Sequence, residues 1–338
     1  MNNKQILLTA KGIAKTLAIP SLVWLVFQII DTQFAGTGVI ATITDVKGLL
    51  RSVLTTFCFA LALNINMSNG RMDLSGGAQM YLGCIFGGNL ALQLGLGGAG
   101  VMIFSMVVGA LAGLIVGVIF VNIRILPMVL GLGMALIYEC IAFGMYNQQG
   151  LMLFGKPGVR ILSNEYFIIG IAVALLIVIT YLFQFSAYGY KHLAISGSQK
   201  LASDSGINIF ENCLKSYALA GALVACAGVF STAYSGTLTP VMGMTSNGVV
   251  FKNLFPMFLG IWIGSFVKNQ ILGILVASLS VQIVIIGLSK LMLSMSIADI
   301  IIYTLFLLFQ VYRMNAHRIQ YAKDKRARIV LAKATRKN

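Results

Sequence analysis

Asn64-Ile65-Asn66-Met67-Ser68-Asn69-Gly70-Arg71-Met72-Asp73-Leu74-Ser75-Gly76-Gly77 is polar and glycine-rich, and it lies between two apolar runs, 48–66 and 78–96. Each run is about 20 residues long, the length at which an α-helix crosses the hydrocarbon of a bilayer. A lipid-facing helix cannot carry this density of amides together with a guanidinium and a carboxylate. Irregular backbone near membrane depth is tolerated where protein surrounds it or where it lines an aqueous cavity. The stretch therefore reads in two ways. In one it is a loop whose Asp73 caps the helix beginning around Leu74–Gly77, accepting its free N–H groups. In the other it is a discontinuous segment beside a translocation path, with Asn66, Asp73 and Ser75 as candidate path residues.

The same pattern of apolar runs continues along the chain. Ten are long enough to cross: 16–34, 48–66, 78–96, 99–121, 125–146, 165–186, 213–235, 250–267, 271–289 and 296–313. The 338 residues are 58% hydrophobic and 10% charged, with a mean hydropathy of +0.91. A water-soluble domain needs about a quarter of its residues charged. Soluble, disordered, disulfide-rich and collagen-like classes are excluded on that ground. The alternating signature of a membrane barrel is absent. The expected fold is an all-α polytopic bundle, with a transmembrane domain over 1–312 and a basic tail over 313–338.

The net charge of +15 is unevenly placed, with nine of the 24 Lys and Arg falling in the last 26 residues. If the chain starts in the cytoplasm and alternates, six cations lie outside: Lys47, Arg51, Lys156, Arg160, Lys252 and Lys290. The remaining 18 lie inside. Positive charge accumulates on the cytoplasmic side of membrane proteins. Ten spans with both termini in the cytoplasm follow, in a plasma-membrane protein whose first span is retained. The basicity reads as topology and contact with membrane lipid rather than nucleic acid.

Glu139, inside ILPMVLGLGMALIYECIAFGMY, is the other candidate path residue. A carboxylate there must face the bundle, pair or take up a proton. Asp299 reads as a helix-start residue after Ser294 and Ser296. Gly109, Gly113 and Gly117 form a double GxxxG, and Gly260 and Gly264 a single one; both permit close helix packing, inside one bundle before a dimer. The five cysteines read as buried free thiols. Gly150–Pro157 fits the P-loop spacing except at Pro157, where a hydroxyl is needed for magnesium. No metal spacing, hydrolase elbow or nucleophile–base pair is visible, so neither an enzyme nor a metal site is expected.

The connector 188–208 carries YGYKHLAISGSQKLASDSGIN between two spans. It accommodates a short helix stopped by Gly206, either solvated or held for docking.

Two of these segments resemble the permease subunits of ribose-type (simple sugar) ABC importers. Gly70-Arg71-Met72-Asp73-Leu74-Ser75-Gly76-Gly77 is similar to the family's GGIDLSVG segment, with Arg71 and Gly76 departing from it. Ala194, Gly197, Ala202, Ser205, Gly206 and Ile207 match its cytoplasmic AVGGNPEAARLSGI stretch, with Lys200 and Leu201 departing. The match weakens after Thr239, as in a divergent member. The resemblance implies a coupling helix over 194–207, with Gly197, Lys200, Ala202, Ser205 and Gly206 meeting a separate ATPase subunit. It also implies a second permease subunit, identical or different, and an extracytoplasmic solute-binding protein. ATP would be bound by the partner ATPase, and no cofactor by this chain. The implied function is a passive path for a sugar or similar small polar solute. The competing expectation is a proton-coupled secondary transporter using Glu139 and Asp73.

Overall fold

The computed structural model describes the backbone of residues 3–34, 36–123, 125–156 and 158–335. Pro157 of the rejected P-loop match and Arg336 and Lys337 of the basic tail lie outside the described residues. Among those described, nine helices are long and apolar enough to cross a membrane. They are α1 (Asn3–Phe34), α2 (Ile43–Met67), α5 (Gly97–Ile123), α6 (Pro127–Gly144), α7 (Glu165–Gln184), α10 (Ile209–Ser235), α11 (Asn247–Val267), α12 (Gln270–Lys290) and α13 (Met295–Thr335).

The tenth expected crossing is interrupted. α3 (Gly76–Leu82) and α4 (Gly88–Gln93) are joined by a π-helical turn, Gly83–Gly87. Eighteen helical residues rise about 27 Å, close to the hydrocarbon thickness. The cause of the widened turn is packing against α5. A Cβ on Gly87 would overlap the backbone of Phe104 and Ser105, and one on Gly83 would press on Ala225, Ser105 and Gly109. The chain accommodates this approach by one loosened turn.

α2 and α10 run through the middle of the bundle, with most of their residues buried, while α1, α7 and α13 stay at its periphery. The two small-residue faces both serve packing within the chain. Gly109 and Gly113 lie on the backbone of Gly221 and Tyr217 in α10, and Gly260 and Gly264 lie against Ile274 and Gln270 in α12. Close backbone approach of this kind replaces the hydrophobic drive that lipid cannot supply. Four of the cysteines are buried, but Cys140 is exposed on α6. The expectation of five buried thiols is corrected there, because α6 turns that face away from the bundle.

One end of the bundle gathers the break after α2, the short helices α8 (Ala187–Gly197) and α9 (Gln199–Asp204), and the Lys268–Asn269 turn. The other end gathers the 145–164 connector and the 236–246 segment. There β1 (Leu151–Met152) pairs antiparallel with β2 (Thr237–Leu238), Leu151 opposite Leu238. Asp299 does not act alone as a helix-start residue. It is ion-paired with Lys252 of α11 at 3.0 Å.

Candidate functional site

α2 ends at Met67 because Asn66 and Met67 carbonyls turn back onto the N–H groups of Asn69, Gly70 and Arg71. Gly70 supplies the positive φ of 73° that this reversal needs. The chain then runs buried through Arg71, Asp73, Leu74 and Ser75 before α3 starts. Asp73 is not the N-cap residue; Ser75 is. Asp73 Oδ1 accepts the backbone N–H of Ser75 at 2.8 Å and its hydroxyl at 2.6 Å. Gln79 Nε2 donates to Asp73 Oδ2 at 3.1 Å and to Ser75 Oγ at 2.7 Å. Gly131 of α6 packs on Leu74 N and Asp73 Oδ1, where a side chain would not fit. Asp73 thus holds the irregular backbone in shape by satisfying donors that hydrocarbon would leave orphaned.

Glu139 plays the matching part on a second interrupted element. It is 1% exposed. Its Oε1 accepts the N–H of Ser246 and its Oε2 that of Met244, each at 2.8 Å. Ser246 is the residue before α11, so the carboxylate closes the N-terminus of that helix, where the dipole favours negative charge. Gly77 at the first turn of α3 lies directly on the Ser246 carbonyl. Two helix starts therefore meet inside the bundle, each with a buried acid beside it. The sequence offered no partner for Glu139, because its partners are backbone groups 105 and 107 residues away.

Asn66 is buried with Oδ1 unpartnered. It shares with Asp73 and Gln79 a void of about 10 Å³, about the room of one water molecule. Asn66, Asp73 and Ser75 are therefore brought together, while Glu139 sits beside them at the start of α11. Gln79, which ties Asp73 to Ser75, was missed. Its signal was its position four residues after Ser75, on the same helix face.

The expected single helix over 194–207 is two. α8 runs on to Gly197, Ser198 is extended, and α9 follows with the Ser198 hydroxyl accepting the Leu201 N–H. Gly206, at φ 78°, ends α9 as expected. Gly197, Lys200, Ser205 and Gly206 are exposed, whereas Ala202 is buried. His192 ties this unit to the broken segment. Asn69 Nδ2 lies 3.0 Å from its Nδ1, and Ser68 Oγ lies 3.0 Å from its Nε2. The Ser68 hydroxyl already donates to Ile65 O. A neutral ring with its hydrogen on Nε2 satisfies all these partners. Burial and then the Arg71 charge hold the His192 pKa down to about 4. Gln199 of α9 adds a bond to Asn69 O at 3.1 Å. Neither His192 nor Gln199 was expected, because a lone histidine in a polar connector has no periodicity to mark it.

The profile of a family described as the permease component of a branched-chain amino acid transport system matches residues 46–310. The chain belongs to this permease family. The match takes in the α2–α3 break, both helix starts and the α8–α9 unit. The permease is 27% identical over 214 residues to the fructose import permease protein FrcC of Rhizobium meliloti. That alignment covers 59% of each chain, so the permease spans about three-fifths of the length of the curated relative it matches. No solved structure matches the permease at a significant level. It is a multi-pass membrane protein.

Proposed function

We propose that this permease forms the solute path of an ABC importer and is driven by a separate cytoplasmic ATPase docked on α8 and α9. The observation that carries the reading is the linkage Gln199–Asn69–His192–Ser68. It fastens an exposed pair of short helices to the broken membrane segment between α2 and α3. Tyr190, Leu193 and Leu201 are exposed on those helices, apolar surface suited to a partner's groove. Gly197, Lys200, Ser205 and Gly206 supply its polar and small rim, and Ala202 packs α9 in place. A second permease subunit and an external binding protein complete the reading, with ATP bound by the ATPase. No catalytic step is assigned to this chain.

We assign the α8–α9 end to the cytoplasm on charge. Of the six cations at the other end, Lys47, Lys252 and Lys290 are ion-paired with Glu165, Asp299 and Asp45. Both termini then face the cytoplasm, and α13 continues past residue 312 as the basic extension. At the outer end a cavity of about 740 Å³ is lined by Asn89, Gln93, Tyr146, Asn147 and Gln149. Amides and a phenol suit a polyhydroxylated solute, which agrees with the name of the fructose permease. Asn66, Asp73, Ser75 and Glu139 border the inner path as supports of the two helix starts.

Both buried acids accept hydrogen bonds from fixed donors, which supports a passive path over a proton relay. The test is uptake into proteoliposomes with and without the ATPase. ATP-dependent uptake of a labelled hexose, unaffected by an uncoupler, is expected. Accumulation by the chain alone under a proton gradient would overturn the reading. Uptake of a branched-chain amino acid instead of a sugar would overturn the solute class.

A further inference from the structure

Arg71 is 4% exposed, and no carboxylate reaches it among the described ion pairs. Its Nη1 is buried without a hydrogen-bond partner among the described residues. A guanidinium taken out of water and left unpaired is unstable unless an anion meets it. Beside it opens a cavity of about 410 Å³. One wall is polar, formed by Arg71, Asn69 and Gln199. The apolar part of the lining includes Leu126 from the α5–α6 turn and Phe210 at the start of α10. Leu126 is 71% and Phe210 53% exposed, so the apolar wall is accessible from outside the bundle.

We propose that this cavity holds the headgroup of an anionic phospholipid, its phosphate on Arg71 and its acyl chains over Leu126 and Phe210. The chemistry follows from the two walls. A guanidinium presents paired N–H donors that match phosphate oxygens. The cavity lies where membrane helices end, the level of lipid headgroups, and basic pockets between helix ends capture such headgroups. A free phosphate would use the polar wall and leave the apolar one bare. Arg71 stands where the family pattern in the sequence has glycine, so the site belongs to this chain's own divergence.

The consequence rests on the transport reading, although the binding does not. Gln199 of α9 borders the cavity and bonds Asn69, so an occupied cavity steadies the α8–α9 unit against the broken segment. Lipid composition then sets how well docking is transmitted.

The experiment is native mass spectrometry of the purified full chain, titrated in detergent with phosphatidylglycerol, phosphatidylcholine or inorganic phosphate. The wild type retains phosphatidylglycerol about fivefold better than Arg71→Gln, the weight of one cation near an anionic headgroup. Phosphatidylcholine is not retained. Leu126→Glu, which keeps Arg71 and offers it a carboxylate at an exposed position, also loses the retained lipid and covers the case that Arg71→Gln fails to fold. Equal phosphatidylglycerol retention by wild type and both variants overturns the proposal. Displacement of the lipid by millimolar inorganic phosphate overturns the lipid as occupant. Because none of these readouts requires transport, their failure is distinct from failure of the importer reading.

Discussion

Glu139 Oε1 accepts the backbone N–H of Ser246 at 2.8 Å, across the boundary between α6 and the start of α11. The bond ties one continuous helix to one that begins inside the bundle. Glu139→Gln leaves a single acceptor oxygen facing two N–H groups. The expected loss is about 2 kcal/mol, with Glu139→Ala losing more. Thermal unfolding in detergent measures it. If Glu139→Gln leaves stability unchanged and removes a proton dependence of uptake, the relay is restored.

His192 gives a pH dependence of definite sign. Its pKa is about 4 in the folded chain against an ordinary 6.5, so the unfolded chain binds the proton first. Stability is complete above about pH 6.5 and falls as pH drops toward 4. The total is about 3 kcal/mol, borne by the α8–α9 unit. Hydrogen exchange of residues 187–204 between pH 7 and 5 reads it directly. His192→Asn should flatten the pH slope while loosening the unit at all pH values.

Gly197 and Ala202 separate docking from folding. Gly197 is exposed, and a Cβ there would meet nothing within 4 Å. Gly197→Leu should keep the purified chain stable yet abolish ATPase association and transport. Ala202 is buried, so Ala202→Leu should disturb α9 itself, at a cost of about 1–3 kcal/mol. Equal association of wild type and Gly197→Leu would remove the docking role.

Gly113 faces the carbonyl of Tyr217, and Gly221 faces that of Gly109. Gly113→Val should prevent close packing of α5 on α10 and abolish a monodisperse product in size-exclusion chromatography. A folded variant that merely changes oligomeric state would move this seam to a subunit interface.

The break after α2 was legible because its composition is incompatible with lipid, whatever surrounds it. Gly206 was legible as a helix stop because the need for positive φ is local. Asp73 was placed at the right helix start but one step from its true role, since the Ser75 and Gln79 donors are defined by the fold of the loop. The division of 194–207 into α8 and α9 escaped notice because Ser198 is compatible with either a helix interior or a cap.

The sequence by itself determined a membrane bundle, nine of its ten expected crossings as continuous helices and the uneven placement of charge along the chain. These follow from burial of apolar length and from the cost of moving charge through hydrocarbon, which depend on composition and order along the chain. Tertiary structure alone decided what each polar group inside that bundle does. Glu139 finds Ser246, His192 finds Ser68 and Asn69, and Arg71 Nη1 finds no partner among the described residues. Such pairings join residues from about 100 to more than 120 positions apart. They are fixed by which helices pack closely enough, at Gly77, Gly113 and Gly131, for a backbone N–H or a side chain to come within 3 Å.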